Sequence, residues 1–368
     1  MHHLRVTPSR RRRLAKALAL GALLLAALPV LLFIGYGLWR GHDVIGAFHY
    51  AFASHPDPEI EDREIPVHVP LRVEWMGNLE SLALDEASGL ATSPRRDDLL
   101  WAHNDSGGAH DLFAFDLRGR DLGSVRIDDS RLGDWEDMAS FELDGRSYLL
   151  VGDVGDNFHW RRVLELHVIE EPELPLQASR ASPAWTIRFS YPDGARDCEA
   201  LAVDVAAEQV LLLTKRGLPP ELYRVPLRAG ADPDQVWVAE RVAVLDSLPR
   251  PSARDLLIDP DFGLYRSQPT GFDLSADLAV VVTYGDAYVY PRRANEPWER
   301  VFERLPRRVE LPHEFQREAG AMTPSGDALF VTTERDERGA AALFRIELGP
   351  MELGPAPETR GSEQDSSR

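Results

Sequence analysis

The feature that most constrains this chain is a repeated pattern of short apolar strands between residues 88 and 348. Five segments can be aligned with one another. Each begins a predicted strand, which is followed 9 to 13 residues later by a strongly apolar second strand and then by a third. The segments begin at Ser88, Glu136, Glu199, Thr270 and Glu318. Their starts are 48, 63, 71 and 48 residues apart, which is typical of four-stranded propeller blades of roughly 40 to 50 residues with insertions.

The repeats predict an all-β fold, a β-propeller of five four-stranded blades. The last repeat is one strand short, and residues 67–75 form an unassigned strand before the first repeat. We therefore expect this N-terminal strand to complete the last blade and close the ring, which removes exposed sheet edges. Six blades are the alternative, because residues 251–268 lie in the longest gap and have room for further strands.

The N-terminal region predicts a membrane anchor. Residues 17–39 are an uncharged run of 23 residues, close to the roughly 20 needed to span a bilayer as a helix. Basic residues at 10–13 and 16 precede the run, which favours a cytoplasmic N-terminus (1–16) and a periplasmic or extracellular body. The alternative is a signal peptide cleaved after Ala53. Residues 40–65 are interpreted as a tether, 66–348 as the propeller and 349–368 as a disordered tail.

The charge of the body excludes one class of partner. From residue 43 onward, 34 basic side chains face 60 acidic ones, a net charge of −26. Such a body repels phosphate backbones, so we expect no nucleic-acid binding, whereas cations and cationic partners are favoured. The single cysteine, Cys198, excludes an internal disulfide, and we expect it to be a small buried apolar residue. The sequence predicts no oligomeric state.

The first residues of the five repeats predict a ring around the central channel, because the first strand of a propeller blade lines that channel. Three carboxylates in one ring repel one another unless a cation or a proton lies between them. Calcium, which prefers oxygen ligands, is one solution. Arg196 and Arg317, which lie close in sequence, are another. The third possibility is structural, with the glutamates accepting hydrogen bonds from backbone amides of neighbouring blades.

A second set of polar residues follows the apolar second strands, at His103, Asp153, Lys215, Tyr284 and Thr333. Lys215 is the only lysine after Lys16, and a lysine can shift its pKa or hold an anionic group. We predict catalytic or substrate-contacting roles for His103 and Lys215; the alternatives are a histidine satisfied by a carboxylate and an ordinary solvated charge. The predicted ligand-binding residues are Asn104, Asp105, Asp156, Asn157, Arg216, Tyr284 and Glu334.

The repeat starts at Glu199, Thr270 and Glu318 resemble blade starts of the broad phytase-like and six-bladed, gluconolactonase-like propellers. The resemblance covers residues 67–348. It implies a calcium ion in the channel, held by Glu136, Asp153, Glu199 and Glu318. It also implies that Lys215 and Arg216 bind phosphate.

Two functions therefore remain open at this point. The first is an anchored propeller that binds a small anionic ligand or a protein partner at its central loop face. The second is a calcium-dependent hydrolase of the phosphoesterase or lactonase type, in which the metal polarises the reacting oxygen. The absence of a strong catalytic motif favours binding.

Overall fold

The computed structural model describes residues 27–39, 41–53, 57–105, 109–128, 133–174, 176, 180–228, 232, 234–314, 316–336 and 338–351. The chain divides into two compact units. One comprises residues 1–54 with 158–162, and the other comprises residues 55–157 with 163–368. The second unit contains all the strands.

The second unit is a five-bladed β-propeller. Strand β1 (Arg72–Asn78) comes first in the chain, and each later group of strands forms one blade. From the inner strand outward, the first blade contains β2 (Ala87–Thr92), β3 (Leu99–Asn104), β4 (Asp111–Asp116) and β5 (Asp121–Ile127), while the second contains β6 (Trp135–Leu143), β7 (Arg146–Asp153), β8 (Leu164–Glu170) and β10 (Trp185–Ser190).

The remaining blades follow the same order. The third contains β11 (Cys198–Asp204), β12 (Gln209–Thr214), β13 (Glu221–Pro226) and β15 (Glu240–Val244). The fourth contains β16 (Pro269–Leu274), β17 (Leu278–Thr283), β18 (Ala287–Pro291) and β19 (Arg307–Val309). The fifth contains β20 (Arg317–Met322), β21 (Ala328–Thr333) and β22 (Ala342–Glu347), completed by β1.

The ring closes as the sequence predicts. β1 is antiparallel to β22, with Trp75 opposite Phe344, so the two ends of the propeller domain share one sheet. Two short strands extend outer edges of other blades: β9 (Arg180–Ala181) is parallel to β5, and β14 (Val236–Val238) is parallel to β10. The prediction of five blades is confirmed. Residues 251–268 form helix α3 (Ala253–Ile258) and a 3-10 helix (Gly263–Tyr265), not a sixth blade.

Five apolar clusters lie between adjacent blades, one at each junction. They explain why the second strands are continuously apolar. Leu149 packs towards the first blade and Leu150 towards the third, because successive residues of a strand point to opposite faces. Both faces of each sheet are therefore buried. Cys198 is fully buried in the cluster between the second and third blades, which confirms the prediction for this residue.

The other unit contains two described helices, α1 (residues 27–39) and α2 (Val44–Phe52). The Asp43 side chain caps α2 by accepting a hydrogen bond from the Gly46 amide, and Trp160 stacks on Phe33 with ring centroids 4.8 Å apart. Helix α2 lies within the predicted tether.

Among the described residues, no helix has the length and apolar character needed to cross a bilayer. Residues 1–26 and 352–368, which hold the whole predicted cytoplasmic segment, the first part of the predicted anchor and most of the predicted tail, lie outside the described residues.

Two more short helices lie in connections of the propeller, and the inner strands define its central channel. A 3-10 helix (Val205–Ala207) follows β11, and α4 (Trp298–Val301) precedes β19. The inner strands of consecutive blades contact one another around the ring. Their N-terminal ends meet the C-terminal ends of the second strands, which are antiparallel to them. The two predicted sets of polar residues therefore lie at the same end of the channel, which we call the mouth.

Candidate functional site

The mouth is built on five β-bulges, one at the start of each inner strand. A bulge adds a residue to one strand and redirects its side chain, and bulges are common next to active sites. In every blade the predicted ring residue lies within the bulge and is buried. The register shifts fall between Ala87 and Gly89, Trp135 and Met138, Cys198 and Ala200, Pro269 and Gly271, and Arg317 and Ala319.

Lys215 joins two of the ring carboxylates through a chain of hydrogen bonds. Its Nζ donates to Glu199 Oε2 and to the Tyr284 hydroxyl, 2.9 Å away. The Tyr284 hydroxyl in turn donates to Glu318 Oε1 at 3.0 Å. Burial opposes the charge on Lys215, but the negative charge of Glu199 raises its pKa above the usual range. Lys215 is therefore a buried cation in the mouth, not an ordinary solvated charge.

Beside Lys215, the mouth carries carboxylates in two overlapping groups. One comprises Asp105, Asp134 and Glu136, and the other comprises Glu136, Asp197 and Glu199. Within each group, one oxygen from every residue lies within 4.8 Å of the others. Two oxygens bound to one calcium at about 2.4 Å cannot be farther apart than about 4.8 Å. Each group therefore offers three oxygen donors, close enough together for one calcium ion to bind all three, out of the roughly six to eight that calcium takes.

Glu136 belongs to both groups and differs from its neighbours. Its residue is 2% exposed, and none of the described residues donates a hydrogen bond to its carboxylate. Burial, reinforced by the charges of Glu199 and Asp105, raises the pKa of Glu136 well above its usual range. By contrast, Asp197 accepts hydrogen bonds from the Arg216 guanidinium and from the Asp156 amide. Glu136 is thus a buried carboxylate that lacks a partner within the described part of the chain.

The repeat alignment missed Asp134 and Asp197, although it contained a signal for them. Asp134 lies two residues before Glu136, and Asp197 lies two residues before Glu199. The same offset gives polar residues in every repeat: Glu86, Asp134, Asp197, Gln268 and Gln316. Each of these residues lies immediately before an inner strand, so its side chain reaches the rim of the mouth. A second aligned column was therefore present.

The four predicted metal ligands do not form one cluster. Glu136 and Glu199 lie together, whereas Glu318 accepts the hydrogen bond from Tyr284. Asp153 belongs to a separate group with Glu165 and His167 and accepts a hydrogen bond from the Asp134 amide at 2.8 Å.

His103 is fully buried between blades, not open to the mouth. Its ring packs edge-on against Trp135 at 5.3 Å, and its Nε2 is directed at Gly89, where a Cβ would be only 2.1 Å away. Burial lowers the pKa of His103 to about 4, so the ring is neutral. The neighbouring Asn104 stabilises the loop before β2. Its Oδ1 accepts hydrogen bonds from the amides of Asp85 and Glu86, and its Nδ2 donates to the carbonyl of Ala83.

The other predicted ligand-binding residues surround the mouth. Asp105 is part of the first acidic group, Asp156 donates its amide to Asp197, and Asn157 accepts a hydrogen bond from Arg216. Burial and the charge of Glu318 raise the pKa of the half-buried Glu334 to about 8.

The two predicted arginines have other partners. Arg317 is buried and donates to the carbonyls of Tyr284, Gly285 and Pro312. Arg196 pairs with Asp193 and Glu221. Of the ring carboxylates, Glu199 is therefore paired with Lys215, and the two predicted arginines bond other groups.

The hydrogen bonds between blades that were one possibility for the ring glutamates are instead made by two aspartates, which lie deeper in the channel. Asp137 Oδ2 accepts the amides of Leu201 and Phe272, at 2.8 and 3.2 Å, and so joins three blades. Asp273 Oδ2 accepts the Met322 amide at 2.7 Å and joins the fourth blade to the fifth. At the ring itself, the hydroxyls of Ser88 and Thr270 donate to carbonyls of the next blade.

Comparisons with known proteins show no family for this chain. No family model matches the chain, and no curated protein matches it in sequence. Solved structures similar to it include the luciferin-regenerating enzyme, at 10% identity over 77% of this chain and 98% of that one, with a TM-score of 0.39. The WD40 repeats of RRP9 match at 10% identity over 77% and 100%, with a TM-score of 0.41. U3-55K matches at 10% over 71% and 68%, with a TM-score of 0.34.

Proposed function

We propose that this chain is a membrane-anchored propeller that binds a divalent cation, calcium in the first instance, and a small ligand at its mouth. The observation that carries the cation is Glu136, a buried carboxylate that accepts no hydrogen bond from a described residue and is shared by two groups of oxygen donors. A buried charge is costly unless it is paired or coordinates a metal. Glu136 is therefore the proposed central ligand, with Asp105, Asp134, Asp197 and Glu199 around it.

Calcium binding is tested by thermal unfolding and titration calorimetry of the purified full chain, with calcium and with a chelator. A ligand in hundredfold excess over its Kd adds about 2.7 kcal/mol of stability, which raises the Tm by roughly 5 °C for a domain of this size. We expect Glu136→Gln to abolish this shift. The matched control is Glu142→Gln, because Glu142 lies on the same strand with an exposed side chain.

Two results would exclude the cation site. The first is the absence of both calorimetric binding and a Tm shift in the wild-type chain. The second is calcium binding by the Glu136→Gln variant with wild-type affinity, which would move the site elsewhere.

A small ligand is favoured over a protein partner because a pocket of about 490 Å³, open to solvent on one side, adjoins Lys215, Arg216 and Tyr284. This volume lies within the range of roughly 300 to 1,000 Å³ typical of small-molecule sites. Lys215 has three N–H donors, and two of them are used by Glu199 and Tyr284. The third has no acceptor among the described residues and is directed to a ligand in this proposal.

The second candidate function is the calcium-dependent hydrolase implied by the phytase-like and gluconolactonase-like resemblance. It is favoured by the position of Lys215, a buried cation beside the carboxylates that would hold the metal. A bound calcium would polarise a phosphoryl or acyl oxygen. A panel of phosphoesters and lactones tests it: turnover must require calcium and must fall in Lys215→Gln. We assign no contact with the ligand to His103 in either case.

The membrane anchor is part of the proposal and rests on the uncharged run at residues 17–39 and the basic residues before it. We expect the full chain to stay in the membrane fraction after alkaline extraction, and a chain without residues 1–39 to be released. N-terminal sequencing of the mature protein distinguishes an anchor from a cleaved signal peptide. A mature N-terminus at residue 54 would overturn the anchor.

A further inference from the structure

The pocket beside Lys215 has a chemical character that narrows its ligand, on the condition that the mouth binds small ligands as proposed above. Its walls come from four connections between strands, all within the propeller. The lining includes Lys215 and Arg216 after β12, Phe262, Tyr265 and Arg266 before β16, and Tyr284 after β17. Aromatic groups and cations therefore face the same space.

The aromatic wall is exposed and yet firmly held. Phe262 is 66% exposed and Tyr265 is 42% exposed, although both lie on the connection between β15 and β16, where a sixth blade was the alternative. A capping box between Ser252 and Asp255 begins this connection. Gly263 packs against the backbone of Asp255, where a Cβ would be only 2.7 Å away. The connection therefore presents two large rings to solvent from a fixed backbone.

The cationic side of the pocket contains uncommitted donors. Arg266 uses its Nε to bond Asp255 at 3.1 Å, and its side chain is only 14% exposed. Its terminal N–H groups have no acceptor among the described residues, and neither does the third N–H of Lys215. A guanidinium with free terminal donors is suited to bidentate binding of a carboxylate or phosphate.

The acidic residues that line the same pocket are differently placed. Asp259 accepts the backbone amides of Asp261 and Phe262 and so fixes the turn that carries Phe262. Glu314 is exposed at the rim. Neither residue compensates Arg266 or Lys215 through a hydrogen bond. The pocket therefore presents two cations, Lys215 and Arg266, each paired with a carboxylate outside the lining and each with N–H donors left over.

We propose that this pocket binds a small organic anion with an aromatic or apolar body. The carboxylate or phosphate head contacts Arg266 and the free donor of Lys215, and the body lies against Phe262 and Tyr265. The two ends of the pocket thus recognise the two halves of one ligand. An inorganic anion or a bare apolar molecule satisfies only one end.

The ligand class is tested with matched probes on the full chain in calcium. The probes are naphthalene carboxylate, its neutral carboxamide, the naphthylmethylammonium cation, naphthyl phosphate and acetate. By calorimetry we expect the aryl carboxylate or phosphate to bind at least tenfold more tightly than the amide, the cation and acetate. Tightest binding of the ammonium probe would overturn the proposed class, and so would failure of both aryl anions to bind.

Two variants test the two ends separately. Phe262→Ala removes an exposed ring without disturbing the core, and we expect it to weaken the aryl anion by about tenfold. Leu257→Ala is its control, because Leu257 lies on the same connection and is 84% exposed but does not line the pocket. Arg266→Lys keeps the charge but removes the planar pair of N–H donors. We expect the preference for the aryl anion over the neutral carboxamide to fall by about tenfold.

The outcomes separate this inference from the cation site. Wild-type affinity for the aryl anion in Phe262→Ala and in Arg266→Lys would overturn the pocket assignment. If calcium still binds through Glu136 in those variants, the proposed cation function stands alone. If Glu136→Gln abolishes calcium binding but leaves aryl-anion binding intact, both sites are supported and are independent.

Discussion

Glu136 and Asp137 are neighbours in the same bulge of β6, yet they belong to different layers of the channel and have different surroundings. The carboxylate of Asp137 accepts amides from two other blades and from Met138. The carboxylate of Glu136 has other carboxylates as its nearest charged neighbours. One side chain is a structural link between blades, while the other is an uncompensated charge.

The comparison shows how to separate structural from functional carboxylates in a propeller channel. Burial alone does not do so, because both residues are buried and burial raises the pKa of both. The distinguishing property is the supply of donors. A carboxylate that accepts several backbone amides has its polar atoms satisfied by the fold, whereas one without protein donors must be satisfied by water, a proton or a bound cation.

The largest expected effect comes from removing the deeper link. Asp137→Ala leaves the amides of Leu201, Phe272 and Met138 without their acceptor, and each buried unsatisfied group costs about 1–3 kcal/mol. We expect a loss of roughly 5 kcal/mol in the free energy of unfolding, measured by urea denaturation. Glu142→Ala, on the same strand but exposed, is the control and is expected to change stability little. A neutral effect of Asp137→Ala would show that the blades do not depend on this link.

The next effect is a dependence of stability on pH from Asp273. Burial raises the pKa of this residue to about 7 in the folded protein, compared with about 3.9 in an unfolded chain. The folded state therefore holds the proton more strongly. The stability from this group is complete below about pH 4 and is lost as the pH rises to about 7, by up to roughly 4 kcal/mol.

Urea denaturation from pH 4 to pH 8 measures this contribution. The free energy of unfolding of the wild-type chain minus that of an Asp273→Asn variant isolates the contribution of this residue, because the asparagine does not titrate. We expect the difference in stability between the two proteins to shift in favour of the variant as the pH rises. A difference that stays constant with pH would show that Asp273 is ionised throughout, with its two amide contacts outweighing burial.

A smaller effect of opposite sign is expected at Glu136. In the absence of calcium, Glu136→Gln removes a buried charge surrounded by Glu199, Asp105 and Asp134, so stability is expected to rise by about 2 kcal/mol. Adjacent residues would then give opposite signs: Asp137→Ala destabilises and Glu136→Gln stabilises. Thermal melts in chelator measure the change, and a destabilised Glu136→Gln protein would place Glu136 among the structural links.

The smallest expected effect concerns the hydroxyls of the ring. Thr270 donates to the Arg317 carbonyl at 3.1 Å, so Thr270→Val loses one neutral hydrogen bond, or about 1 kcal/mol. Calcium affinity is expected to stay at the wild-type value, because this hydroxyl is already used between blades. A weakened affinity in calorimetry would make Thr270 a ligand and extend the site around the ring.

Much of the architecture could be predicted from the repeats. The second strands are apolar at successive positions, such as Leu149 and Leu150, whose side chains point to opposite faces of the sheet. Both faces therefore need an apolar neighbour, and only a sheet packed between two other sheets has one on each side. The missing last strand and the unassigned first one indicated the closure by β1 and β22. The aligned ring was correctly placed at one end of the channel. The connection at 251–268 was ambiguous, since six of its residues form a helix whose signal is a capping box.

The site was less predictable, for a physical reason. Glu136, Glu199 and Glu318 occupy the same repeat position, so the sequence treats them alike, yet Lys215 compensates one, Tyr284 bonds another and Glu136 has neither. His103 follows the same pattern as Lys215 in its repeat but points between blades. Direction depends on local bulge geometry, which residue types alone do not encode.

The sequence by itself favoured five blades over six and determined the closure and the acidic, lysine-bearing mouth, because strand periodicity and repeat spacing are local properties of the chain. Only the tertiary structure decided which carboxylates have donors. Asp137 meets the amides of residues 64 and 135 positions away, and such pairings depend on how five separate sheets converge on one axis. Hydrogen bonds act over about 3 Å, so this distinction exists only once the ring is closed.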